Sequence, residues 1–196
     1  MEPALVGLIG AILGILLSNL ISRLIEQRRR YEKMLDIVTA LHAEIIAGRD
    51  TAALQTADAE VHYVTENETP FGPADDTDFV FASIKEDLTI LPIEVIHEIV
   101  DYYKLSAQSI IYTENLNHPM FQAQSPEEKR KYLSNLIALL QQLEAAAVVA
   151  YTALEDFGAA NGLKLAQKRI AAERRRSEQS NQRANGTAHD QTSTRS

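Results

Sequence analysis

Apolar side chains are spread very unevenly along this chain. Residues 4–22 carry no charge and consist mainly of Leu, Ile, Val, Gly and Ala, whereas residues 177–196 are almost entirely polar. A helix of residues 4–22 would be about 28 Å long, close to the roughly 30 Å hydrocarbon core of a bilayer. The pattern therefore predicts one transmembrane helix at 4–22, preceded by an external stub at 1–3.

Two other interpretations of this apolar segment fit less well. A cleaved signal peptide needs a basic n-region and a small-residue cleavage site, but residues 1–3 carry no basic side chain and no A-x-A pattern follows Leu17. A helix in water would lose about 1 kcal/mol at each glycine relative to alanine. We therefore predict an uncleaved anchor.

After the anchor, helical periodicity predicts an all-α fold. A juxtamembrane amphipathic helix is expected at 23–64, with Gly48 as a weak point and an apolar stripe formed by Tyr31, Met34, Leu35, Val38, Leu41, Ile45 and Ile46. Residues 65–78 contain two prolines, a glycine and many acids and amides, which indicates an acidic loop. Residues 79–176 are predicted to form an antiparallel helical bundle, and 177–196 a disordered tail.

Within the predicted bundle, a short helix is expected at 79–87, and Pro92 is placed to open the next one. The main stripe of that second helix is predicted at Ile93, Ile96, Val100, Tyr103, Ala107 and Ile110, widened by Val95, Ile99 and Tyr102.

The sequence Ser-Pro-Glu-Glu at 125–128 is a strong helix start, with a hydroxyl cap, a proline in the first turn and acids near the positive helix end. The heptad-like spacing that follows predicts a coiled-coil-like seam of Tyr132, Leu136, Leu139, Leu143, Ala146, Ala150, Ala153 and Phe157. Gly158, Asn161 and Gly162 should weaken or end this helix before a short basic helix at 163–176.

Apart from Glu2, the charges that give the net charge of −8 lie in three regions. The flank at 23–33 has a net charge of +3, the body at 34–162 has six Lys and Arg against 21 Asp and Glu, and residues 163–196 have a net charge of +5. An acidic body argues against nucleic acid as a partner. For the tail run at 173–176, four interpretations stay open: a solvated helix end, contact with lipid, contact with an acidic partner, and contact with nucleic acid.

The basic flank predicts the topology. Because basic residues follow the apolar segment and none precedes it, the positive-inside rule places the N-terminus outside and the C-terminus in the cytoplasm, as a single-pass protein of an inner membrane. The side chains expected to set topology and contact lipid headgroups are Arg23, Arg28, Arg29, Arg30 and Lys33.

Small residues recur every four positions in the anchor, at Gly10, Gly14 and Ser18. This spacing lets two membrane helices approach closely, so it predicts a homo-oligomer formed through the transmembrane helix. The alternative is chance, because Gly and Ala are common in such helices.

Chemistry-bearing motifs are scarce. The chain has no cysteine, which excludes disulfides and thiolate metal sites, and it contains no phosphate loop or nucleophile elbow. Glu94 and His97, beside Glu98 and Asp101, have the Glu-x-x-His spacing of di-iron bundles, which need a second copy that this sequence lacks. We therefore expect no enzyme activity and no cofactor.

Leu88 to Tyr103, together with residues 4–30, resembles a pattern in uncharacterised bacterial single-pass membrane proteins. The resemblance implies a bacterial origin and the topology given above, and it implies no activity and no site.

These observations predict a membrane-anchored helical protein that acts by protein–protein interaction with an unknown cytoplasmic partner. One alternative is a small membrane-active protein of holin or toxin type, which would dissipate the membrane potential. Another is a helical-bundle metalloenzyme using Glu94 and His97, which would bind iron or manganese.

Overall fold

The computed structural model describes residues 3–65, 78–175 and 178, with side chains described from residue 14 to 61 and from residue 78 onward. Within these ranges the chain is helical and has no strand, which confirms the all-α prediction. The helices are α1 Pro3–Thr65, α2 Phe79–Ile84, α3 Ile93–Leu116, α4 Pro119–Gln122, α5 Pro126–Ala160 and α6 165–175, with a 3-10 turn at Leu88–Ile90. The predicted acidic loop lies outside the described residues at 66–77, as does the predicted tail apart from residue 178.

Helix α1 is continuous through the whole predicted anchor and juxtamembrane helix, with no break at Gly48. Its described side chains divide it into two parts. Residues 14–33 are all exposed, whereas burial begins after them and reaches the centre of the core at Val38, Leu41 and Ile45. The stripe predicted for this helix is thus confirmed in its central residues, while Tyr31 stays on the surface.

The buried face of α3 agrees only in part with the predicted one. Ile93 and Val100 are exposed, and Ala107 faces solvent as well. The core is instead contacted by the residues Val95, Ile99, Tyr102, Tyr103, Ser106, Ser109, Thr113 and Leu116. The prediction is therefore confirmed at Val95, Ile99, Tyr102 and Tyr103. It was wrong at Ile93, Val100 and Ala107. The buried residues Ser106, Ser109 and Thr113 were missed because a search for apolar periodicity passes over Ser and Thr.

Helix α5 has the predicted heptad period but a different set of buried residues. Leu136, Leu143 and Ala150 are buried as expected, while the alternate positions fall one residue later, at Leu140, Ala147 and Leu154. A single seam assumes one partner, whereas α5 packs against α1 on one side and α3 on the other. The predicted residues Leu139, Ala146 and Ala153 lie half-buried beside the core.

Local chemistry sets both ends of α5. Ser125 Oγ accepts a hydrogen bond from the Glu128 amide at 3.3 Å, and a Glu128 carboxylate oxygen accepts one from the Ser125 amide at 2.9 Å, forming a capping box. At the other end Gly162 adopts a φ of 83°, and the Leu163 amide donates to the Gly158 carbonyl at 2.8 Å. This is a Schellman ending, whose left-handed residue is best supplied by glycine, and it turns the chain into α6.

Contacts run in opposite order along α1 and α5. The Tyr31 hydroxyl donates to the Asn161 carbonyl at 3.1 Å, near the start of the packed part of α1. Further along α1, His42 contacts Glu155 and Arg49 contacts Glu144. The end of α5 therefore lies beside the exposed N-terminal part of α1, and its beginning lies far from it.

Among the described residues, α5 is the helix long and apolar enough to span a bilayer by length and composition, with 33% of its most apolar stretch buried. It differs from the segment predicted at 4–22, whose side chains are described only from Gly14 onward. Because α5 also supplies eight buried residues to the core, we interpret it as a core helix.

Candidate functional site

The exposed apolar part of α1 is the first surface of interest. Its apolar residues are between 48% and 62% exposed and comprise Ile15, Leu16, Leu17, Leu20, Ile21, Leu24 and Ile25. They point in most directions around the helix, and no other described element covers them. Gly14 also faces open space, since a Cβ built on it would meet nothing within 4 Å. Ser18 is exposed on the same helix, and the side chain at position 10 lies outside the described residues.

The stalk, defined here as residues 23–33, holds the predicted headgroup-binding residues. Arg28 pairs with Glu32 at 3.0 Å and Arg30 pairs with Glu26 at 2.9 Å, both one turn apart and solvent-exposed. Exposed pairs of this kind contribute only about 0.3–0.5 kcal/mol. Arg23 and Arg29 are also exposed. The basic surface of the stalk thus stays accessible.

Lys33 ends the stalk at the bundle. Its ammonium lies 2.7 Å from the Asp87 carboxylate, in the segment between α2 and the 3-10 turn. Of the five predicted headgroup-binding residues, this one connects the stalk to the packed part of the protein.

The Glu-x-x-His candidate lies on the surface of α3. Glu94 and His97 are exposed, and His97 Nδ1 is 3.4 Å from an Asp101 carboxylate oxygen one turn away. Across the described residues, no group of three or more His, Asp or Glu is arranged to hold a metal ion. These side chains form the polar face of the helix.

A groove between α3 and α5, called here the α3–α5 groove, is lined in part by the same polar face. Its volume is about 590 Å³. The floor is apolar and is formed by Val95, Val148, Val149, Ala153 and Phe157. Thr152 and three acidic residues, Glu94, Glu98 and Asp156, complete the lining. Val149 is 49% exposed and Val148 is 38% exposed, so apolar surface in the groove is open to solvent.

A second charged cluster, called here the Glu155 network, connects α1, α5 and α6. Glu155 and His42 have side chains that are more than nine-tenths buried, and His42 Nε2 lies 2.9 Å from a Glu155 carboxylate oxygen. Arg169 Nε donates to the same oxygen at 2.7 Å, and its Nη1 donates to Glu173 at 3.1 Å. The Arg169 guanidinium also stacks on the Tyr151 ring, 4.9 Å from its centroid.

This arrangement explains the acidity of Glu155. Burial alone would raise the pKa of its carboxyl, but the hydrogen bonds from Arg169 and His42 outweigh that effect and hold the pKa below the ordinary value of 4.5. The same contact with Glu155 raises the pKa of Arg169, which therefore remains charged. The carboxylate is thus fixed as an anion that attaches α6 to the bundle.

Glu44 makes a corresponding connection between α1, α2 and α3. Its carboxylate accepts hydrogen bonds from the backbone amides of Val80 and Phe81 in the first turn of α2, and from the Tyr103 hydroxyl. Burial and the neighbouring Glu44 carboxylate raise the pKa of Tyr103. Phe81 stacks on Tyr103 with ring centroids 3.9 Å apart. Glu44 therefore positions α2 on the bundle.

Sequence analysis missed the groove and the contacts of both carboxylates, Glu155 and Glu44. Glu155 and His42 are 113 residues apart, and Glu44 is 36 residues before Val80, so no local spacing connects them. The sequence does contain one indication of the groove. Val148 and Val149 are apolar although they lie outside the predicted seam of α5, which indicates a second apolar surface on that helix.

No protein-family model, curated protein or solved structure matches this chain.

Proposed function

We propose that this chain is a single-pass protein of a bacterial inner membrane that acts by protein–protein interaction and not by catalysis. Residues 4–22 anchor it with the N-terminus outside, and the antiparallel helical bundle lies in the cytoplasm. The observation that carries the proposal is the exposed apolar surface of α1 between Gly14 and Ile25.

An apolar surface of this kind is costly in water. A helix that is apolar on most sides is typically buried in a protein core or in a bilayer, and large exposed apolar patches mark interaction sites. Exposed charged residues of the stalk follow directly, so the boundary between apolar and basic surface falls where a bilayer surface would end. A lipid environment supplies the missing contacts.

The stalk separates the bundle from the membrane. Its eleven residues correspond to about 16 Å of helix, so the bundle begins below the headgroup layer and its sides remain accessible. The accessible α3–α5 groove and the strongly acidic body supply an interaction surface for a cytoplasmic partner.

Fractionation and topology reporters test the anchor. The full chain should remain in the membrane pellet after a carbonate wash, and green fluorescent protein fused after Ser196 should fluoresce. Replacing Leu16 and Leu20 with lysine should release the chain, whereas replacing both with isoleucine should not. Full recovery of the unaltered chain in the soluble fraction, or an active alkaline phosphatase fused after Ser196, would contradict the proposal.

A further inference from the structure

We infer that the α3–α5 groove binds a basic amphipathic helix from the cytoplasmic juxtamembrane region of another membrane protein. The inference rests on the proposed function for the location of the groove, and it adds the site and the chemistry of the partner. It depends on three features of the groove: its apolar floor, its acidic margin and its distance from the membrane.

The floor fits the apolar face of a helix. Val149 and Phe157 are eight residues apart on α5, which is about 12 Å or roughly two helical turns. An amphipathic helix that docks in a groove presents apolar residues at three- and four-residue steps over this length. The exposed valines would lose their contact with water when such a face packs on them.

The margin selects a basic helix. Glu94 and Glu98 lie one turn apart on α3, and Asp156 lies on α5 across the floor; none of the described lining residues is basic. Lys or Arg on the flanks of a docked helix would meet a carboxylate on either side. Complementary charge of this kind speeds association and disfavours acidic helices.

The distance between the groove and the proposed membrane surface indicates the source of the docked helix. The groove spans the part of α5 that includes Glu155, which contacts His42 on α1. His42 is 20 residues beyond Ser22, or about 30 Å along a helix axis. Because cytoplasmic flanks of membrane helices are enriched in Lys and Arg, basic helices that continue from a neighbouring membrane segment reach this level.

The test uses the full chain in nanodiscs of zwitterionic lipid, so that lipid charge does not attract a basic peptide, and binding to empty nanodiscs of the same lipid is subtracted. The probe is a fluorescent peptide of about 18 residues made of Leu and Lys in amphipathic order, long enough for a stable helix once bound. Two control peptides are a scrambled order of the same residues and a version with Glu in place of Lys. Binding is measured by fluorescence anisotropy.

Two groove variants are compared with one matched control. Val149→Ser and the double variant Glu94→Gln, Glu98→Gln should each weaken peptide binding by at least about tenfold, since the first removes an apolar contact of the floor and the second removes both α3 charges of the margin. Ile111→Ser removes an apolar side chain of similar exposure (57%, against 49% for Val149) on α3, outside the groove, and should change binding less than about twofold.

Equal binding to the unaltered chain and to both groove variants would overturn the inference, as would equal binding of the scrambled peptide. If the groove variants instead convert a self-associated chain into monomers and the peptide does not compete, the occupant is a second copy and the inference is wrong. The proposed membrane anchoring is tested separately by the carbonate wash. The two results can be distinguished because the peptide assay measures binding to the groove alone.

Discussion

His42 on α1 and Glu155 on α5 form a buried hydrogen bond of 2.9 Å between residues 113 positions apart, and Arg169 on α6 completes the contact from the other side. Three helices thus meet at one carboxylate. Removal of one partner from a buried charged group is strongly destabilising, because the remaining charge stays buried without compensation. The network therefore attaches α6 to the bundle.

Replacing Glu155 with alanine should reduce the free energy of unfolding by about 3 kcal/mol, because Arg169 and His42 would lose their shared acceptor. Urea denaturation of the full chain in mild detergent, followed by circular dichroism, measures this loss. Glu173→Ala is the matched control: its side chain is 45% exposed, so its loss should cost less than about 1 kcal/mol. Equal effects of the two variants would show that burial of the Glu155 pair contributes nothing.

The pKa of Glu155 gives this contribution a definite pH dependence. A carboxyl whose pKa is lower in the folded chain than its ordinary value of 4.5 stabilises the fold fully above that value and progressively less as the pH falls below it. The stability difference between the unaltered chain and Glu155→Gln should therefore shrink between pH 5 and pH 2, on the order of the range over which such carboxyls take up protons. A difference that grows on acidification would contradict the assignment.

Gly158 permits α6 to pack closely on α5. A Cβ at this position would lie 3.0 Å from Leu165 Cδ1 and 3.3 Å from Leu163 Cβ, both tighter than an ordinary contact. Gly158→Val should cost about 1–3 kcal/mol through overpacking and should accelerate hydrogen exchange of the amides at 165–175. Ala159→Val introduces the same side chain at the exposed neighbouring position and should leave that exchange unchanged. If both variants behave alike, close packing at Gly158 is not required.

Glu44 should be essential for the docking of α2. Glu44→Ala leaves the Tyr103 hydroxyl and two backbone amides of α2 without their acceptor, a loss of about 1–3 kcal/mol for each group that remains buried. The free energy of opening measured by hydrogen exchange at the Val80 and Phe81 amides should fall at least as much as the free energy of global unfolding. Glu60→Ala, at an exposed position of the same helix, serves as the control and should have no effect on α2.

Gly14 provides a test of self-association in the membrane. Because a side chain at this position meets nothing within the single chain, Gly14→Leu should leave the fold intact. It should reduce crosslinked dimers in native membranes by about tenfold, if small residues allow close approach of two anchors. Leu17→Ile is the control for a change within the same segment. Unchanged crosslinking in Gly14→Leu would contradict the predicted homo-oligomer. Separately, loss of membrane potential on expression of the unaltered chain would favour the holin-type alternative.

Elements with a local chemical cause could be predicted from the sequence. The start of α3 after Pro92, the hydroxyl cap at Ser125 and the end of α5 before Gly162 each follow from a few neighbouring residues. The core faces were predicted less well because they depend on which helices meet. Thr113 is buried although it is polar, and Leu140 replaces Leu139 in the core because α5 has two partners.

The candidate site could be predicted only in part. Glu94 was identified as a polar residue of interest, but its relation to Val149 depends on how α3 and α5 pack, which no spacing within either helix reveals. The same is true of Glu155, whose partners lie on two other helices.

Because α1 runs without a break from Pro3 to Thr65, it also fixes how the bundle is rotated about the helix axis relative to the N-terminal part of α1. Because a straight α-helix advances by about 100° and 1.5 Å with each residue, the number of residues between the proposed anchor and Val38 would determine the direction in which the α3–α5 groove faces relative to that anchor. One residue inserted in the stalk would rotate the groove about the helix axis by more than a quarter turn. Seven inserted residues would move the groove about 10 Å along the axis, away from the N-terminal part of α1, and would leave its rotation almost unchanged.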